Sequence, residues 1–190
     1  MDTTATGVHA GADELTPQVL RAAFGAFPSG VTAVAALVDG QPVGMAASSF
    51  TSVSLEPALV SVCVAHTSST WKALSTAPSI GVSVLAEHHG ETARFLAARG
   101  QDKFASVDWS AAGDGSVFIH DAALWLRCSI HESIPVGDHD IVVLRVDALD
   151  RFDGVSPMIF HGSGFHGLNG ATPKRVLLRN GWGWEFDPFS

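Results

Sequence analysis

Strand signals crowd this chain, and helical ones are few. Val31 to Val38 is small and β-branched, Asp39-Gly40 is a hairpin signal, and Pro42 to Ser54 continues as an extended, serine-rich run. Glu56-Pro57 turns the chain into Leu59–Val64, an apolar stretch suited to a central strand, and Ile80–Leu85 reads as another. Two long runs, Leu124–Val136 and Ile141–Leu149, are joined by Gly137-Asp138-His139-Asp140; short strands are expected at Met158–Phe160 and around Phe165. Helical spacing occurs in three places. The first starts at Pro17 behind a Thr16 cap and repeats Val19, Leu20, Ala23, Phe24 and Phe27 until Pro28-Ser29-Gly30. The others are Thr70 to Thr76 and Glu91 to Ala98, the latter with Ala93, Leu96 and Ala97 on one face. Many short strands with a few interposed helices predict a mainly β fold, an antiparallel barrel rather than a βαβ array.

At 190 residues the chain reads as one domain. Residues 1–15 are small, polar and acidic and read as a loose tail, the domain occupies 16–168, and 169–190 forms a C-terminal extension. That extension carries Trp182, Trp184, Phe186 and Phe189, which are expected to pack on the domain or on a partner subunit. Mean hydropathy is slightly positive, which a large apolar interface with a second copy, a homodimer, would explain. The net charge of -8 argues against nucleic acid, because backbone binding needs clustered Lys and Arg. The one basic cluster, Lys174, Arg175 and Arg179, is too short for that role. Neither a bilayer-spanning apolar stretch nor a secretory signal is legible, so a cytoplasmic protein is expected. Cys63 and Cys128 lie in apolar strand-like runs without a CxxC pair and read as buried free thiols in a reducing compartment.

Two familiar patterns fail on context. Gly162-Ser163-Gly164-Phe165-His166-Gly167 matches GxGxxG, but Pro173 interrupts the place where the helix should run, and no βαβ unit fits before Ser190. The nine histidines show no metal-ligand spacing with a supporting carboxylate, so no metal is assigned.

The segment from Gly44 to Ser49 has a chemistry of its own. Small Ala and Ser residues let a backbone approach a flat ring and offer hydroxyls and N–H groups to its edge. By composition alone, tight strand packing explains it equally well. Phe27-Pro28-Ser29-Gly30-Val31-Thr32, followed by the run from Pro42 to Pro57, closely resembles the flavin reductase-like proteins, the reductase components of two-component flavin monooxygenases. Ser69-Thr70-Trp71, Val82-Ser83-Val84-Leu85, Arg94-Phe95, Asp102-Lys103-Phe104 and Gly137-Asp138-His139 extend the resemblance in order, over roughly Leu20 to Leu168.

The resemblance implies an FMN-binding split barrel, homodimeric, that moves a hydride from NADH or NADPH to non-covalent FMN or FAD and supplies a separate oxygenase. It implies flavin contacts at Pro42, Val43, Gly44, Met45, Ala46, Ser48, Ser49, Cys63, Val64 and Ala65. Ser69 and Thr70 would meet the phosphate at a helix start, with Arg94, beside Phe95, and Lys103 supplying positive charge. His139 would lie near the nicotinamide as the candidate catalytic residue, positioning more than transferring protons. Phe160 and His161 would border the nicotinamide nucleotide, where His161 and His166 stand in place of arginines common among such proteins. Two other readings share the barrel: an oxidase that retains its flavin, and a non-catalytic flavin- or haem-binding module.

Overall fold

A computed structural model describes residues 10–98, 100 and 102–168. Thr16 caps α1 (Pro17–Phe24) by accepting the Val19 N–H, and Pro17 sits in the first turn, where a missing N–H is harmless. After β1 (Ser29–Gly30), β2 (Thr32–Val38) turns at Asp39 and Gly40, both with positive φ (51° and 76°), into β3 (Gln41–Ala47). This turn matches the strand twist, as the Asp-Gly pair predicts. The extended run expected from Pro42 to Ser54 breaks at residues 48–50, and β4 (Thr51–Leu55) then pairs with β5 (Ala58–Ala65).

α2 (Ser69–Leu74), β6 (Ile80–Val84) and α3 (Gly90–Ala97) follow. On α3, Ala93 and Leu96 are buried as expected, but Ala97 is exposed. β7 (Trp109–Ala111) and β8 (Val117–Ile119) form a hairpin that the sequence reading does not contain. β9 (Leu124–Val136) has the predicted limits. β10 (His139–Arg151) begins two residues earlier than Ile141, so the turn is Gly137-Asp138 alone and His139 is already on the strand. β11 (Ile159–His161) and β12 (Gly164–His166) meet through Gly162 and Ser163, both with positive φ, so the GxGxxG match is a hairpin turn.

Seven strands form one antiparallel sheet in the order β3-β2-β6-β9-β10-β5-β4. Its two edges, β3 and β4, are separated by only three residues of chain, so the sheet must curl until they meet: a barrel split along a β3–β4 seam. Val34, Val62, Val64, Val82, Leu126, Val142 and Leu144 belong to one core. Ala33, Ala35, Leu85, Leu96, Phe104, Val117 and Met158 form a second on the other face of β2. A strand buried on both faces reads as a continuous apolar run, which is why β2 shows Ala and Val without alternation. Gly81 lets β8 lie directly on β6, since a Cβ there would come within 2.1 Å of the Val117 carbonyl oxygen.

Some apolar surface stays outside both cores. α1 has no buried residue and ends at Phe24, short of the expected Phe27; Phe24 is 69% and Phe27 75% exposed, and Val53 and Leu55 on β4 and Ile134 and Val136 on β9 are exposed as well. Among the described residues no helix is long and apolar enough to cross a membrane. The aromatic C-terminal extension and the Lys174–Arg179 cluster lie outside the described residues.

Candidate functional site

Among the described residues β3 pairs only with β2, so alternate residues turn their backbone groups to the edge of the sheet. The Gly44 carbonyl is one of these, and it accepts a hydrogen bond from Lys103 Nζ at 3.2 Å. The same ammonium donates to Thr70 Oγ1 at 3.2 Å, tying the β3 edge to α2. Desolvation by burial lowers the Lys103 pKa from its ordinary 10.5. Two residues on, the Ala46 N–H and C=O share the outward phase, and Pro42, which has no N–H to leave unpaired, suits the same edge.

Gly44 itself faces inward. A Cβ there would lie 2.7 Å from the Phe104 ring and 2.9 Å from the Ala35 Cβ, so close packing accounts for this glycine. Val43 and Met45 are half-buried against the core that contains Val62, and Ala46 and Phe95 against the one that contains Phe104.

Across the seam, Ser48 is exposed, while the Ser49 hydroxyl is engaged. It accepts the Cys63 N–H at 2.9 Å and donates to the Cys63 carbonyl at 3.2 Å, joining the link after β3 to β5. Cys63 departs from expectation. Val62 and Val64 point into the barrel, so strand alternation turns the Cys63 side chain outward, where it is exposed. Cys128 is buried as predicted, and burial pushes its thiol up to about 12.

Ala65 pairs in register with His139, which sets the imidazole beside the Cys63–Ala65 stretch. His139 Nδ1 lies 2.7 Å from Asp138 Oδ1; this hydrogen bond and the imidazole charge hold the exposed Asp138 carboxyl below its ordinary range. A second pair, His66 Nε2 to Asp140 Oδ1 at 3.1 Å, stands next to it. Sequence reasoning missed His66 and Asp140, although one follows Ala65 and the other follows His139 directly.

At α2 the cap is Ser68, which accepts the Trp71 N–H at 3.1 Å. Ser69 is therefore the first helical residue, and exposed, while Thr70 turns to Lys103. Among the described residues Arg94 shares no partner with Lys103. It is exposed, ion-paired with Glu91, and its guanidinium lies 5.6 Å from the Phe165 ring centroid. Phe160 is half-buried with its centroid 5.6 Å from that of Phe165. His161 is exposed, and its carbonyl faces His166 Nε2 at 3.2 Å.

The seam thus joins outward backbone groups at Ala46, a small exposed serine, an outward thiol and a desolvated lysine. A flat ring with a polar edge and an anionic tail fits that donor set, since the edge offers both N–H and C=O and the lysine has no carboxylate partner among the described residues.

Comparison with known proteins identifies relatives. The flavin reductase like domain matches residues 24–169. A probable flavin reductase of Rhizobium meliloti (strain 1021) is 39% identical over 158 residues, 83% of this chain and 47% of that protein. The stachydrine N-demethylase reductase subunit Stc3 of the same organism is 40% identical over 158 residues, 83% of this chain and 64% of that protein. The chain therefore spans about half the length of the first and less than two thirds of the second. Among solved structures, the NADH:FAD oxidoreductase SgcE6 of Streptomyces globisporus C-1027, in complex with NAD and FAD fragments, superposes with a TM-score of 0.74. It shares 38% identity and covers 79% of this chain and 92% of its own.

Proposed function

The chain belongs to the flavin reductase-like family, and on that premise we propose that it transfers a hydride from NADH or NADPH to non-covalently held FMN or FAD. The reduced flavin then leaves for a separate oxygenase. The observation that carries this reading is the split seam, where Lys103 bridges Gly44 and Thr70 beside the β3 edge at Ala46. A bound flavin supplies the hydride-accepting ring; the chain's own residues hold it and shape its surroundings.

In this reading the outward N–H and C=O of Ala46 bind the polar edge of the ring, with Pro42, Val43, Gly44 and Met45 forming the strand behind them. Ser48 leaves room, Ser49 keeps the loop tied to Cys63, and Cys63, Val64 and Ala65 form the opposite wall. Lys103 and Thr70, with Ser69 beside them, hold the phosphate. Phe95 and Phe160 wall off the nicotinamide side, with Arg94 and His161 at its rim. His139, held by Asp138, positions the nicotinamide amide. No nucleophile or strong acid is required, because close stacking of two rings supplies most of the rate gain.

The exposed apolar residues Val53 and Leu55 on β4, and Ile134 and Val136 on β9, support a homodimer that buries them. A relative named as a reductase subunit supports a partner oxygenase. Two free thiols, one exposed, suit the cytoplasm.

Anaerobic absorbance with NADH or NADPH and added FMN or FAD tests the proposal. Flavin bleaching that depends on the protein and is faster with one nucleotide is expected. Flavin binding without bleaching in any pairing would reduce the protein to a binding module. His139→Ala is expected to slow bleaching more than it weakens flavin binding; equal losses would make His139 structural.

A further inference from the structure

A pocket of ≈ 300 Å³ opens between the β8–β9 turn and the segment after β10, lined by His120, Asp121, Trp125, Phe152 and Val155 among others. It lies at the opposite end of the β9–β10 hairpin from His139, roughly 40 Å away measured along the strand.

Trp125 is fixed in place. The buried Phe118 stacks on it with centroids 5.2 Å apart, and its indole N–H donates to the Ile119 carbonyl at 2.7 Å. Phe152, 37% exposed, meets it at 76° with centroids 4.8 Å apart, so two rings form a right-angled corner. Two carboxylates border that corner. Asp121 lines the pocket, and Asp150 is the register partner of Trp125, which puts both side chains on one face of the sheet.

Nearby acids have arginine partners: Asp147 with Arg145, Asp153 with Arg151, and Asp114 with Arg127. Among the described residues, no hydrogen bond or ion pair engages the carboxylate of Asp121 or Asp150. Aromatic faces attract cations through their quadrupole, and uncompensated carboxylates add a second attraction of the same sign. Among the described residues no cluster of metal-ligating groups is present, and the two rings offer faces to a bulky apolar cation that the carboxylates attract by charge. The corner suits a cation that carries its charge on methyl groups.

We infer that this pocket binds a small organic cation with a quaternary ammonium group, at a site separate from the seam. The site does not depend on the flavin reading, and flavin titration of each variant keeps the two apart.

The test is an NMR titration of the full chain with choline chloride against matched sodium chloride. It reads the indole N–H of Trp125, assigned by its disappearance in Trp125→Phe. A saturable shift with Kd on the order of millimolar is expected. The neutral isostere 3,3-dimethylbutanol should bind at least roughly tenfold more weakly, and Asp121→Asn should weaken choline roughly fivefold. Asn tolerates the left-handed conformation of Asp121 (φ 55°), so the turn is retained. Phe152→Leu, at an exposed ring, should weaken choline by a similar factor while flavin binding stays unchanged. No saturable shift, equal binding of the neutral isostere, or unchanged choline binding in both variants would each overturn the inference.

Discussion

α2 and α3 both pack against β3, and Lys103 beside the one and Arg94 on the other are the two cations to compare. Beside α2, Lys103 is half-buried and donates to two neutral oxygens, Gly44 O and Thr70 Oγ1. On α3, Arg94 is exposed, already paired with the Glu91 carboxylate, and leans over Phe165. The family resemblance offers Arg94 first, and Lys103 beside it, as the charge for one phosphate. Their surroundings reverse that order: an anion gains most from a positive charge that is partly desolvated and has no carboxylate partner, and least from one that water and Glu91 already screen.

The sharpest way to break this contrast is Lys103→Met. Losing a charge-assisted contact should weaken FMN binding roughly 10- to 100-fold, measured by quenching of flavin fluorescence. An unchanged affinity would remove Lys103 from the site.

Next comes Gly44→Ala on the same edge. Its methyl group would press on Phe104 and Ala35 and should cost about 1–3 kcal/mol, read from a denaturant midpoint. A normal midpoint with weakened flavin binding would return Gly44 to the ligand and away from packing.

A pH titration separates the two cations further. Burial lowers the Lys103 pKa, so between that value and 10.5 the unfolded chain binds more protons than the folded one. Stability therefore gains a small contribution as pH rises through this window. FMN affinity should fall over the same window, because the ammonium is lost at a lower pH than an exposed lysine would lose it. Lys103→Arg should flatten that fall; an unaltered profile would assign it to another group.

The smallest effect belongs to Arg94→Ala, which should change FMN affinity less than about threefold, since a surface ion pair contributes little. A loss equal to that of Lys103→Met would erase the contrast and restore both cations to one phosphate.

Much of the fold was legible in advance. The Thr16-Pro17 helix start, the Asp39-Gly40 turn and the limits of β9 all match, since each depends on residues close in sequence. β7 and β8, three residues each, show no period and escaped notice, whereas the equally short β11 and β12 were expected at Met158–Phe160 and around Phe165. The site was legible only as a set of candidates. That Ser49 spends its hydroxyl on Cys63, that Cys63 faces outward, and that Arg94 stands apart from Lys103 could not be read along the chain.

What the sequence determined by itself is a mainly β chain with its turns, caps and strand lengths, because capping and turn geometry are decided within a few residues. Only the tertiary structure decided which groups meet at the seam. Lys103 reaches Gly44 across 59 residues of sequence, and it does so because the segment between α3 and β7 folds back onto the β3 edge. Glycine at position 44 has the same origin: Phe104, on that same segment, occupies the space a side chain would need.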